Sequence, residues 1–458
     1  MAIEVCPNEL IAGGARAVRS LSPALAGIQD CPIELDDVRR AAQRGHFTPA
    51  EDQRVHAWFA RYLTARGGLL EVVGDLKPIA TAPVSRIDER TQLAGFAVAY
   101  ASACLLVKAA RFLVETFATE GVVQRKLNEA EPRFRIPRKQ YTAIYRSLTS
   151  PANVWRLRRA IDFANRNRQG IESLASDEGM GPVLEHLHAA EDAVDAGIGR
   201  SIKARLGFRW HSIRRRRASA VQRVTFDIAE AFGRVTASIH NPWHTNRVTA
   251  KILKRIEALL EPGDVIVTRH DDSMTNLFLP GFWPHASLYL GSASVSESLG
   301  VVVSKERVAR WVEPMRVLEA RKDGVLLREL ADTLAVDAVA VIRPALKASQ
   351  IATAISEALT HEGKLYNFDF DFFRADRLVC TEVVYRAYDP VAGAGPLRFA
   401  LKRRAGRLTL SAEDLLDMAV EERGFSPVAV FGARRCRRRL VTGRKARRIL
   451  PLTYRDAG

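Results

Sequence analysis

The sequence predicts an α+β chain. A mostly α-helical N-terminal domain, residues 1–245, precedes a small antiparallel sheet with helices packed beside it, residues 246–432. A basic C-terminal tail, residues 433–458, follows. Three observations predict this. Before about residue 245, apolar residues recur at helical spacing. After Asn241-Pro242, short apolar runs of strand length appear between Pro, Gly and Asp. From Arg434 onward the text is dominated by arginine.

A length of 458 residues suits two or three domains, and 47% hydrophobic with 26% charged residues suits a globular chain with an ample core. The formal net charge is +17. That excess predicts attraction to anionic partners, an anionic membrane surface before nucleic acid. The five cysteines are scattered, with no CxxC spacing, so neither a disulfide framework nor a zinc ribbon is expected. The N-terminus shows no basic segment leading into an apolar one, which reads as no secretory signal. The expected location is cytoplasmic, or peripheral on a membrane.

In the first domain, Val55–Arg66 is amphipathic and runs into Gly67-Gly68. Leu93–Val107 is the most apolar stretch. At 15 residues it falls short of the ~20 that span a bilayer, so it reads as a buried helix. Asn153–Asn165 and Pro182–Ala196 are further helices. His186 and His188 on the latter lie two apart, which splays them away from a shared metal. Ile213–Arg217 reads as a solvated basic helix face.

In the second domain, Arg247–Leu260 is a last amphipathic helix. Strands are expected at Asp264–Thr268, opened by Pro262-Gly263, and at His285–Leu290, ended by Gly291. Ser294–Ser298 and Gly300–Val303 suggest more strand, and Lys305–Leu318 a helix or loop. Asp337–Ile342 is a strand closed by Arg343-Pro344. Ala348–Leu359 is helical, and a helix opens after Cys380. Ser411 caps Ala412–Glu422, with acidic residues in its first turn. Pro427–Phe431 closes the sheet. The arginine-rich tail reads as a mobile arm, with Cys436 as a surface thiol whose pKa the arginines would lower but which, without a base, is not a nucleophile.

The candidate chemistry is a thiol. Cys380 follows Leu378-Val379 and precedes a helix, so a thiolate there would face backbone N–H groups and the positive dipole end. His285 heads a strand upstream. Glu297 lies 12 residues after His285. Across a hairpin, that spacing brings a carboxylate beside the imidazole. Nucleophile, base and orienting acid would then all be present. Asp264 reads as a strand-start cap, and His361 as a cationic cap at a helix end. Asp369 and Asp371 alternate with phenylalanines as one strand face.

The words PGDVIVTR, FWPHASLYLG, the downstream Glu297, Tyr366 with FDFDF, and LVCTEVVYRAY resemble the YiiX/YebB-like cysteine hydrolases. These form a circularly permuted, papain-like branch of the NlpC superfamily, related to lecithin retinol acyltransferase. The resemblance covers roughly residues 247–432, where the histidine strand precedes the cysteine helix. It implies a permuted papain-like fold for this domain. It implies Cys380 as nucleophile, His285 as general base, Glu297 as orienting acid and Tyr366 near the oxyanion. It also makes Glu382 part of the family's C-[ST]-E pattern.

The expected activity is that of a cysteine hydrolase or acyltransferase working on an amide or ester through a thioester acyl-enzyme. The substrate is a peptide or a lipid acyl group, with no metal or organic cofactor. The apolar segment Thr275–Trp283 would flank the cleft and favours an acyl substrate. The alternatives are a binding module without turnover, or a basic scaffold on anionic membrane or nucleic acid.

Overall fold

A computed structural model of the chain describes residues 6–81, 87–117, 120–131, 134, 136–197, 246–271, 281–301, 311–368, 376–392, 397–404 and 407–455. The basic run 213–217, Asp369, Asp371 and most of the segment 275–283 lie outside them. The chain divides into two compact units, Met1–Asn241 and Pro242–Gly458.

The first unit is helical. Its described core packs Pro7–Gln29, Pro49–Asp75, Glu89–Thr116 and Met180–Gly197 against one another. The helix Pro49–Asp75 starts at a capping box: Glu51 donates its N–H to Thr48 Oγ1, and the Glu51 carboxylate accepts the Thr48 N–H at 2.8 Å. Asp88 caps Glu89–Thr116 through the Thr91 N–H at 2.9 Å. Glu89–Thr116 has the length and composition to cross a membrane, being longer than its apolar stretch alone suggested. Its apolar stretch is nevertheless mostly buried inside the unit, as in the core helix of a bundle.

The C-terminal unit is built on a seven-stranded antiparallel sheet. Its strands in chain order are β1 Val265–Arg269, β2 His285–Tyr289, β3 Met315–Arg321, β4 Gly324–Glu329, β5 Ala338–Pro344, then β10 Phe425–Phe431 and β11 Val441–Thr442. The spatial order is β11-β10-β5-β1-β2-β3-β4. Two-stranded additions are β6 Leu365–Tyr366 with β7 Arg377–Leu378, and β8 Lys402–Arg404 with β9 Arg407–Thr409. Ile256, Ile266, Tyr289, Val317, Leu334, Val341 and Phe431 form one buried cluster of the unit. Burying each such side chain contributes roughly 1.5–3 kcal/mol.

Asp264 is fully buried where β1 begins. Arg343 at the end of β5 donates to both its oxygens at 2.8 Å, and the Glu261 N–H caps it at 2.9 Å. Burial pushes this carboxyl upward, and Arg343 opposes that push. Just before it, Gly263 has φ 91° and a backbone so close to Ile351 that a Cβ would stand 2.9 Å from that side chain. Its carbonyl accepts the buried Tyr388 hydroxyl. The turn therefore docks directly on the helices beneath the sheet.

Two expectations fail here. The segment 293–298 is a helix, not a strand, because Ser292 caps it by accepting the Val295 N–H at 3.3 Å. The basic tail is not a mobile arm. Val430 pairs with Val441 and Ala429 with Thr442, and the helix Gly443–Ile449 packs on β10. The Trp283 indole N–H donates to Thr453 Oγ1 at 2.9 Å. Residues 433–455 are thus part of this unit. Cys436 is buried within them, and burial pushes its thiol up instead of activating it.

Candidate active site

Cys380 is the first residue of the helix Cys380–Tyr388, reached through β7 and the extended Val379. The helix starts there because Glu382 reaches back: its carboxylate accepts the Val379 N–H at 3.4 Å and is held by Arg386 at 2.7 Å. That is one half of a capping box, since Val379 has no side-chain acceptor to reciprocate, and its acid is itself ion-paired. The thiol is 4% exposed, and the backbone N–H groups of Thr381 and Ala286 are directed at its sulfur. Both favour a thiolate, as does the helix N-terminus.

His285 is the first residue of β2, opposite Thr268 of β1. The chain leading into it is fixed from outside. Glu413 accepts the N–H groups of Phe282 and Trp283, and Trp283 is fully buried. His285 hydrogen bonds to Cys380 on one side. On the other, its Nε2 lies 2.7 Å from Glu319 Oε1. With Nε2 so engaged, Nδ1 is the nitrogen left for the thiol.

Glu319 sits on β3 and is 1% exposed. Its Oε2 accepts from Thr333 Oγ1 at 3.2 Å and lies 2.8 Å from Arg321 Nε and 3.5 Å from Arg328 Nε. Arg321 also donates to the Asp332 carbonyl at 3.2 Å. Burial of this carboxylate would be costly alone, and the surrounding cations offset that cost.

The three groups set one another's charge. Burial pulls His285 down, but the Cys380 thiolate and the Glu319 carboxylate outweigh it and raise the imidazole to about 9. Burial pushes Cys380 up, but His285 outweighs it and holds the thiol below its usual range. Burial likewise pushes Glu319 up, and Arg321 and His285 hold it far below the usual carboxylate range. The three directions together favour thiolate, imidazolium and carboxylate in a row.

Glu297 does not occupy the position expected of it. It is exposed on the helix Ala293–Ser298, and the carboxylate at His285 is Glu319, which lies 34 residues further on from the histidine. The strand that pairs with β2 is β3: Leu288 faces Leu318 and Tyr289 faces Val317. Sequence reasoning missed β3 and β4, yet a signal was present. Asp323-Gly324 closes their hairpin, with Arg321 paired to Gly324 and φ 104° at the glycine. Such a dipeptide between strand-length runs marks a hairpin.

Tyr366 lies on β6 beside Leu378, two residues before Cys380, and its ring meets Phe368 at 4.8 Å. His361 is not the cationic cap expected. It is 4% exposed, and burial together with Lys364 and Arg386 presses it down to about 4, so it is neutral. Asp264 belongs to the structural pair with Arg343, and Trp283 to the core. His188 pairs with Glu172 at 2.9 Å. In the helical unit, Asp52, His56 and Glu131 offer ligand atoms within 4.8 Å of one another. The Lys126 ammonium, 2.7 Å from Asp52 Oδ1, already supplies positive charge there.

Searches of curated proteins and of solved structures returned no significant match. Residues 259–426 match the family model described as permuted papain-like amidase enzyme, YaeF/YiiX, C92 family. That span holds the turn before β1, the His285 strand, Glu319 and the Cys380 helix, in the permuted order. Within the C-terminal unit, residues 259–426 are thus similar to the permuted papain-like amidase family.

Proposed function

We propose that the C-terminal unit cleaves amide bonds through Cys380, His285 and Glu319. The observation that carries this reading is the chain of contacts from a buried helix-terminal thiol to His285 and on to a buried, arginine-held carboxylate. The Cys380 thiolate attacks the carbonyl carbon, and the oxygen takes the charge. The Cys380 backbone N–H and the Tyr366 hydroxyl serve that oxyanion. The imidazolium of His285 gives its proton to the departing amine as the carbon–nitrogen bond breaks. This leaves a thioester and a neutral imidazole. His285 then takes a proton from water as its oxygen attacks the thioester. The carboxylic product leaves, and the proton returns the site to its starting state. Glu319 orients the ring throughout and stabilises its charged form.

The substrate class that fits is a peptide amide. Hydrolysis of a lipid acyl ester and transfer of the acyl group to an amine are the other arms of the substrate screen. The test is iodoacetamide alkylation of Cys380 across pH in wild type, His285→Ala and Glu319→Gln, followed by the screen. A thiol that reacts at pH 6 and loses that reactivity in His285→Ala supports the reading. A thiol titrating near the free value of about 8.5 in all three proteins would leave a binding module without turnover.

A further inference from the structure

The positive charge of this chain is concentrated in one ordered place. Between Arg423 and Arg455 lie 11 of its 69 Lys and Arg and none of its 52 Asp and Glu. That stretch alone carries +11 of the net +17, and the rest of the chain carries only +6. Three of these cations are neutralised: Arg423 by Glu421, Arg447 by Glu422 and Arg455 by Asp417. The remaining eight are Arg434, Arg435, Arg437, Arg438, Arg439, Arg444, Lys445 and Arg448. All eight are exposed.

These cations are held on a rigid base. Cys436 is buried at the centre of two successive turns, with the Cys436 N–H donating to the Ala433 carbonyl at 2.8 Å and the Arg439 N–H to the Cys436 carbonyl at 3.2 Å. The chain then returns along β10 as β11 and packs the helix Gly443–Ile449 through buried Ala446. A flexible arm would spread such charges. This arrangement presents them together.

We propose that this surface docks the C-terminal unit on an anionic lipid bilayer. The alternation of exposed arginines with buried Cys436, Ala446 and Leu450 gives it a charged outer side. Leu452, 38% exposed, and the half-buried Ile449 stand at its margin, where an interfacial segment carries its apolar contacts. Nucleic acid fits it less well. No aromatic ring in this stretch is exposed for stacking on bases: Phe425 and Phe431 are buried, and the Tyr454 hydroxyl is bound to Asp417 at 2.7 Å. The helix that carries Arg444 and Lys445 has only seven residues, a short element for reading a groove.

The test is co-sedimentation of the full chain with vesicles of phosphatidylcholine alone or with about 30 mol % phosphatidylglycerol. At least about tenfold stronger binding to the anionic vesicles is expected, lost between roughly 0.05 and 0.5 M salt. The triple variant Arg437→Gln, Arg438→Gln, Arg439→Gln should lose about tenfold in binding while its melting curve and Cys380 alkylation stay as in wild type. The pair Arg444→Gln, Lys445→Gln, on a separate element, should act in the same direction. Equal binding to both vesicles, unchanged binding of both variants, or displacement of the protein from vesicles by duplex DNA or single-stranded RNA through the same arginines would overturn the proposal. Because Cys380 reactivity is read separately, loss of the catalytic reading would leave this one standing, and the reverse.

Discussion

Glu319 holds His285 with one oxygen at 2.7 Å and Arg321 with the other at 2.8 Å. The same carboxylate therefore sees these two cations, with Arg328 as a third at 3.5 Å, and of the three only His285 exchanges its proton in the proposed reaction. When His285 gives its proton away, Arg321 remains to keep Glu319 ionised in its buried position.

That relationship predicts unequal effects of two glutamates. Glu319→Gln should lower kcat/KM by about 10²–10³-fold, roughly 3–4 kcal/mol of transition-state stabilisation. Glu297→Gln, on its exposed helix, should leave kcat/KM within about twofold of wild type, well under 1 kcal/mol. Steady-state kinetics on one peptide amide decides. Equal losses in the two variants would restore Glu297 to the site.

Arg321 acts through Glu319, so it is a positioning residue. Arg321→Met should lower kcat about tenfold, or 1.4 kcal/mol, and raise the acidic limb of the rate profile as Glu319 becomes easier to protonate. Arg321→Lys should restore part of both. A loss of stability with no movement of the pH limb would reduce Arg321 to a structural role.

The pH dependence follows from the coupled pair. Amide cleavage needs the thiolate and the imidazolium together, so its rate should fall above about 9, where His285 loses its proton. Alkylation by iodoacetamide needs only the thiolate and should not fall there. Stability carries its own signature. His285 is raised, so its contribution is complete below about 6.5 and lost as pH climbs through about 9. Cys380 is lowered, so its contribution is present above the free thiol value of about 8.5 and lost as pH falls through its lowered one. Between them the two slopes oppose each other. Comparing wild type with a Cys380→Ser, His285→Ala double variant by urea unfolding at pH 5, 7.5 and 10 should show a stability difference that is largest at 7.5.

Arg343→Met would leave Asp264 buried without its cation. Removing one partner of a buried pair costs about 3–5 kcal/mol. A urea midpoint unchanged by this substitution would show that the Glu261 N–H suffices to hold the turn.

Deleting residues 434–458 should unfold the C-terminal unit or leave it insoluble. It removes the edge strand β11, the helix packed on β10 and the hydrogen bond to Trp283. A soluble truncated chain with a native near-ultraviolet spectrum would show that the segment is dispensable.

Much of the site was legible because its signals are local. Pro262-Gly263 and Gly291 punctuate the two central strands, and an apolar pair runs into Cys380 at a helix start. The acid was not legible, for a reason that lies in the strand itself. In β3 and β4 the buried position falls to Glu319, with Arg321 and Arg328 packed beside it. A buried ionic cluster breaks the apolar alternation by which strands are recognised. With that hairpin unseen, Glu297 was the nearest carboxylate at a plausible spacing. The tail misled in a similar way. Its arginines suggested solvent, while Val441, Ala446 and Leu450 between them supply the packing.

The Trp283–Thr453 hydrogen bond joins residues 170 positions apart. The stretch that aims His285 is thus fastened by a residue made long after it. On the ribosome, His285 and Glu319 emerge before Cys380, and the fastening follows later still. In a growing polypeptide this fastening of the stretch before His285 waits until synthesis has passed Thr453.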